Sequence, residues 1–290
     1  MRTTTLEDYR ERVLRVLLHI QRNLDEPLDL VELAGVAAFS PYHFHRVFHG
    51  MVGESLGGYV RRLRLERAAM ALKGSDRPVV EIALDSGYSS HEAFTRAFRA
   101  AFRVAPSEYR GQHAPEIPLS VDPREFRPLE PEDPAMRVEI KQVEPLRVAF
   151  VRHVGPYNQC GDAWDKLTTW AGSEGMIGPG TQFIGLCWDD PEITPPDKVR
   201  YDACITIDRD TESIGEFGVQ EIDGGPYAMT THFGPYEEFD KTYVKLIGQW
   251  APRSGRELRP LPCLEFYLNS PENTGPEDLV TDIYLPLEAC

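Results

Sequence analysis

The pentapeptide His153-Val154-Gly155-Pro156-Tyr157 returns as His232-Phe233-Gly234-Pro235-Tyr236, 79 positions later. The copies are not isolated, because Trp164-Asp165-Lys166-Leu167 lines up with Tyr243-Val244-Lys245-Leu246 at the same offset. Each pentapeptide follows a strand-like run, 147–153 or 228–233, and opens a helical one, 158–170 or 237–250. Two more strand-like runs come after each helix: 184–188 with 264–268, and 202–207 with 282–287. A duplicated strand-helix-strand-strand unit must bury two similar apolar faces against each other. The pattern therefore predicts an α+β domain over 137–290, packed about a pseudo-two-fold axis, with a groove at the junction of the halves.

Upstream, the composition changes. Six prolines, Pro115, Pro118, Pro123, Pro128, Pro131 and Pro134, rule out a helix or an interior strand and predict a semi-extended linker over 113–136. Residues 1–112 read as helix after helix, an all-α domain. A short helix opens at Leu28-Asp29-Leu30, with Asp29 as N-cap and Glu32 three residues on. After a turn at Ala37-Ala38-Phe39, Ser40-Pro41 starts a second helix. Its apolar face is Phe44, Val47, Phe48 and Met51; its polar face is Tyr42, His45, Arg46 and His49. The arrangement recurs. A helix over 79–85 ends near Gly87, a capping box is expected in Ser89-Ser90-His91-Glu92, and the next helix sets Phe94, Ala97 and Phe98 against Glu92, Thr95, Arg96 and Arg99. A helix from about Ser55 to Lys73, rich in arginine, joins the two.

A short helix, a tight turn and an amphipathic second helix make a helix-turn-helix, whose second helix fits the major groove of double-stranded DNA. Arginine there matches the two acceptors of guanine. The net charge of −15 argues against nucleic acid only if taken whole. Residues 1–112 carry 16 Lys/Arg and 14 Asp/Glu, whereas 113–290 carry 15 and 32. The acidity sits in the second part, and DNA binding would rest on placed arginines. The five cysteines (Cys160, Cys187, Cys204, Cys263 and Cys290) lack CxxC spacing, so reduced structural thiols are expected, with no metal and no cofactor. With no apolar run of membrane length and no signal region, a cytoplasmic protein is expected.

Residues 10–110 resemble the DNA-binding domain of AraC/XylS-type transcription activators. The likeness runs through Leu33-Ala34 to Phe48, Tyr59 to Ala68, Ile82-Ala83 to Gly87-Tyr88-Ser89-Ser90, and Pro106-Ser107-Glu108-Tyr109-Arg110. It implies base contacts at Tyr42, His45 and Arg46 and at His91, Glu92 and Arg96, with His49 and Thr95 on the same polar faces. Ala38 departs from the Gly, His or Asn often found at that turn, so a first unit either slightly strained or differently angled is expected.

In the second part, strand alternation puts Glu265 and Tyr267 on one face of their strand and Asp282 and Tyr284 on one face of theirs. The aliphatic faces are expected under the helices, and the mixed faces in the groove. Glu265 aligns with Gly185 in the first repeat, so one half supplies a carboxylate where the other leaves space. Among Tyr267, Tyr284 and Trp188, that carboxylate would attract an organic cation by charge and by aromatic faces. His153 and His232 are expected to be structural turn residues, and Trp164 and Trp250 core residues. Residues 137–290 resemble the GyrI-like effector-binding domain, on the two His-x-Gly-Pro-Tyr turns, 264–268 and 281–286. That resemblance implies a multidrug-sensing module with Glu265 as its central carboxylate. The domain order resembles the Rob-like architecture. The expected function is a transcription regulator, not an enzyme, that answers a small lipophilic or cationic effector and acts on DNA with RNA polymerase. Two alternatives remain: a GyrI-like hydrolase using Glu265 with Tyr267 or Tyr284, and a drug-sequestering module.

Overall fold

The computed structural model describes residues 5–111, 122–131, 136–191, 194–208 and 211–289. Its contacts divide the chain into two compact units. Met1–Leu6, Phe39–Met51 and Leu129–Cys290 form one; Glu7–Ala38 and Val52–Pro128 form the other. The division does not follow the linker: residues 39–51 count with the β-rich part.

In the helical unit, α1 (Thr5–Arg22) buries Tyr9, Val13, Val16, Leu17 and Ile20, a stripe at helical spacing. Asp29 caps α2 (Leu30–Ala37) by accepting from Val31 N and Glu32 N. The helix stops on Ala38, a left-handed alanine at φ 54°, and this is the strained turn the sequence pointed to. Arg12 and Arg15 of α1 donate to the carbonyls of Ala38 and Val36. Ser55 caps α4 (Leu56–Gly74). α5 (Val79–Asp85), α6 (His91–Phe102) and α7 (Pro106–Gly111) close over a core with α4 that includes Leu72, Ile82, Phe94, Phe98 and Tyr109. Gly87, at φ 79°, turns the chain between α5 and α6. The arginines of α4 are largely used within the fold: Arg64 donates to Leu24 O, Arg67 pairs with Asp25, and Arg62 pairs with Glu54 and Glu66. Of the linker, Pro115, Pro118 and Pro134 lie outside the described residues. Pro123–Glu125 forms a single 3-10 turn, and Phe126 O accepts from Arg10.

Among the described residues, the second unit holds one antiparallel sheet of eight strands. Its strands are β1 (Glu139–Val143), β2 (Leu146–Val154), β3 (Phe183–Cys187), β4 (Arg200–Thr206), β5 (Phe217–Ile222), β6 (Gly225–Phe233), β7 (Cys263–Tyr267) and β8 (Val280–Pro286). They run in the order β1-β6-β8-β7-β3-β4-β2-β5, symmetric about the β7–β3 junction. The duplication is thus realised as a pseudo-two-fold sheet in which each repeat lends its first strand to the far edge of the other. Those lent strands, β1 and β5, extend each repeat beyond the strand-helix-strand-strand pattern read from sequence. One face of the sheet carries α8 (Gly161–Ser173), whose Ala163, Leu167 and Ala171 pack on Ala149, Val151, Tyr201, Ala203 and Ile205. The second repeat supplies α9 (Phe239–Tyr243), which continues as a π-helical turn over Val244–Trp250 rather than as one α-helix. α3 (Pro41–Val52) belongs to this unit up to Met51.

Candidate functional site

Sheet register places the carboxylate. Glu265 on β7 lies opposite Gly185 on β3 and Ile283 on β8, and Gly185 lies opposite Ala203 on β4. Directly opposed residues share a face, so Glu265 points to the side that carries α8, near the middle of the sheet. It is 4% exposed. Tyr267 donates to Oε2 at 2.6 Å, Tyr243 from α9 donates to Oε1 at 2.7 Å, and the Cys187 thiol donates to Oε1 at 3.1 Å. Tyr267 spends its one proton on Glu265, so the 2.8 Å contact between the Tyr201 and Tyr267 hydroxyls is donated by Tyr201, which in turn accepts from Trp164 Nε1 at 3.1 Å. A relay of neutral donors therefore ends on the carboxylate. Burial first, and then Glu265, holds Tyr201 and Tyr267 well above the ordinary tyrosine range; for Tyr243 burial is followed by Cys187 and then Glu265, and burial dominates in the same way for Cys187. Among the described residues, no cationic side chain forms an ion pair with Glu265.

Gly185 leaves room for this relay. A Cβ there would come within 2.6 Å of the Tyr201 hydroxyl and 2.8 Å of the Tyr267 hydroxyl. The two repeated turns aim further rings at the same place. His153 Nε2 lies 3.0 Å from Pro156 O and His232 Nε2 lies 3.3 Å from Pro235 O, which fixes each turn from inside, as expected of structural histidines. Tyr157 then meets Tyr201 at 5.8 Å between ring centres, and Tyr236 meets Tyr267 at 5.5 Å.

Two residues expected in this group lie elsewhere. Tyr284 follows Ile283, and Trp188 follows Cys187, so both project from the opposite face. There they join Leu264, Phe266, Ile184 and Leu186 in a second cluster, separate from the one that packs α8. The Leu264/Phe266 face, expected under the helices, is therefore the one opposite α8. Trp188 donates to Asp202, a fully buried carboxylate also gripped by Arg152 at two 2.7 Å bonds. In place of Tyr284 and Trp188, the site holds Tyr243, Tyr201, Tyr157, Tyr236 and Trp164. The recurring tyrosine of the pentapeptide was the signal for two of them; Trp164, expected in the core rather than against a ligand, does pack on the α8 cluster and also donates to Tyr201.

The residues expected to touch DNA fall into two groups. On α6, His91, Glu92 and Arg96 are exposed and Thr95 is half-buried. The cap of this helix is one residue later than expected: Ser90 accepts from Ala93 N, and Glu92 folds back to bond its own backbone and Ser90, which lowers its pKa. On α3, the polar face is covered. Tyr42 and His49 are half-buried, His45 is 2% exposed and Arg46 is 6% exposed. His45 Nδ1 lies 3.1 Å from Asp190 Oδ2, in the loop after β3, and Arg46 Nε lies 3.9 Å from the same oxygen. The Arg46 guanidinium sits 4.2 Å from the centre of the Tyr243 ring. Burial opposes its charge, but Asp190 and then Tyr243 favour it, and the balance holds its pKa above the ordinary range. His43 Nε2 lies 3.0 Å from Arg259 O. At the far end, Leu129 N donates to Met51 O and Arg253 donates to Leu129 O. Between these anchors, the backbones of α3 and the π-helical turn touch. A Cβ at Gly50 would lie 2.4 Å from Gly248 Cα, and one at Gly248 would lie 2.4 Å from Arg46 O.

A GyrI-like small molecule binding domain is matched over residues 136–288, more than half of the chain, and a helix-turn-helix domain over 33–112. The Right origin-binding protein of Escherichia coli is 38% identical over 95 residues, 33% of this chain and 33% of that protein. This chain thus covers about a third of the length of that relative. The probable transcriptional regulator YgiV of Escherichia coli is 36% identical over 111 residues, 37% of this chain and 68% of that protein. Among solved structures, the C-terminal domain of EcmrR aligns at a TM-score of 0.45 with 19% identity, over 54% of this chain and 99% of that one. Among the described residues, no helix is long and apolar enough to cross a membrane.

Proposed function

This chain belongs to the GyrI-like small molecule binding family and carries an AraC-type helix-turn-helix domain ahead of that module, and from that premise we propose that it is a transcription regulator governed by an organic cation. The carrying observation is Glu265: a buried carboxylate, held among the described residues by neutral donors, beside several tyrosines and a tryptophan. A cation in that enclosure meets a charge and several aromatic faces at once. The relay from Trp164 fixes the carboxylate before the guest arrives, so little is lost to ordering. On the DNA side, Tyr42, His45, Arg46 and His49 of α3 and His91, Glu92, Thr95 and Arg96 of α6 read the duplex, and RNA polymerase is the machinery this binding serves.

The reading is tested by titrating benzamidinium into the full chain by calorimetry. Binding that weakens roughly tenfold or more in Glu265→Gln, where the hydrogen-bonding shape is kept and the charge removed, supports it. Equal binding to both proteins overturns the role given to Glu265. A hydrolase would instead release product from an ester or epoxide of an aromatic cation, and steady turnover in the same samples would favour that second reading.

A further inference from the structure

α3 carries half of the expected DNA contacts, yet its polar face is packed away inside the sheet unit. Three features make this a built contact. The first is charge. Arg46 is the one cation on that face, and it meets a carboxylate, Asp190, together with the flat face of Tyr243. The hydroxyl of that same Tyr243 donates to Glu265. One tyrosine is therefore wall to two places: its ring faces the guanidinium, and its oxygen holds the carboxylate. The second is backbone shape. A glycine in the last turn of α3 weakens the helix, and one in the π-helical turn weakens that element. Gly50 and Gly248 stand where no side chain fits between the two backbones. The third is position. Leu129, where the linker rejoins the sheet unit, is bonded to the end of α3 and to Arg253.

The geometry points to an internal clamp: the effector module uses Arg46 as a resident cation, holds the first DNA-reading helix by it, and gives that helix up when a flat organic cation takes the aromatic wall. The inference rests on the effector reading above and adds its output. In the clamped state His45 and Arg46 cannot reach a base edge, while the polar face of α6 stays exposed. One reading helix is then available without effector and two with it. The ligand class follows from the mimic, an amidinium, guanidinium or aromatic cation that stacks on Tyr243 and repels Arg46. The signal needs no route through the proline-rich linker, because α3 itself lies on the sensor.

Three proteins test the clamp: the full chain, Asp190→Asn and Gly248→Ala. Both changes alter what α3 packs against, and neither replaces a residue assigned to DNA or Glu265 itself. DNA is a duplex selected from random sequence by the wild-type protein, and helix release is read by hydrogen exchange of amides 41–52, with amides of β7 and β8 reporting that the sheet is intact. Exchange in 41–52 that accelerates, and DNA binding that tightens about tenfold, in both variants and in wild type given benzamidinium, is the expected result. Intact sheets with unchanged exchange and DNA affinity in both variants overturn the clamp, even if benzamidinium binds. Released variants together with a wild type that binds no benzamidinium support the clamp and overturn the effector reading, so the two fail separately. If both variants unfold, the wild-type comparison with and without benzamidinium decides alone: faster exchange in 41–52 supports the clamp, and unchanged exchange with the ligand bound overturns it.

Discussion

At the residue scale, the site is governed by what stands directly across a strand. Gly185 is the clearest case, because its missing side chain is the space in which two tyrosine hydroxyls meet. Gly185→Ala should force those hydroxyls apart, lower stability by about 1–3 kcal/mol and weaken binding of benzamidinium; urea denaturation and calorimetry check the two effects, and an unchanged affinity would show that the relay does not position Glu265. His43 gives a pH prediction. Burial, and secondarily the charge of Arg46, lowers its pKa from 6.5 to about 4, against the bond to Arg259 O. The folded state thus binds fewer protons than the unfolded one. The stability tied to neutral His43 is complete above about pH 6.5 and drains away as pH falls toward 4, amounting to about 3 kcal/mol. The difference between urea midpoints of wild type and His43→Gln, measured from pH 7.5 to 4.5, should shrink along that path, and a constant difference would contradict it. The sequence alone singled out Glu265 and Gly185 because the repeat aligned them. It misplaced Tyr284 and Trp188 because alternation within one strand does not tell which residue opposes which on the next. A one-residue change of register moves a side chain to the other face.

At the scale of elements, local signals were legible where the chemistry is local. Asp29 and Ser55 cap the helices they were expected to start, and α5 spans Val79–Asp85 as predicted. Strands β1 and β5 were missed for a physical reason. Both lie at the edges of the sheet, where residues such as Glu139, Lys141 and Gln142, or Gln220 and Glu221, dilute the apolar alternation that marks an inner strand. The π-helical turn was equally hidden, since its sequence reads as continued helix. The α6 cap offers a test confined to one element. Ser90→Ala removes the acceptor for Ala93 N and should cost about 1 kcal/mol, seen as faster hydrogen exchange in amides 91–95. The fraying should also weaken DNA binding through His91, Glu92 and Arg96, which stand on that first turn or just beyond it. Protection that stays at wild-type level would mean that the bond from Glu92 to its own backbone suffices as a cap.

At the scale of the whole molecule, the proline run suggested independent domains, and the contacts divide the chain differently, with α3 in the sheet unit. Sequence could not reveal this, because Tyr42, His45, Arg46 and His49 make the same polar stripe whether water, a DNA groove or a protein surface faces them. What settles the partner is shape and charge supplied far along the chain, by Asp190, Tyr243, Gly248 and Arg259. A clamp of this kind has a thermodynamic consequence that neither DNA binding nor effector binding alone would display. If a cation and a duplex both require α3 to leave the sensor, each must favour the other by the same factor. Benzamidinium that tightens DNA binding about tenfold should itself bind about tenfold more tightly when saturating duplex is present. In Asp190→Asn, where α3 is already loosened, both factors should fall together toward one. Calorimetric titration of benzamidinium into the protein with and without duplex measures one factor, and DNA titration with and without benzamidinium measures the other. Factors of one in the wild type, with both ligands bound, would mean that cation and duplex are not coupled through α3, and a coupling that survives Asp190→Asn would place it away from the Arg46 contact.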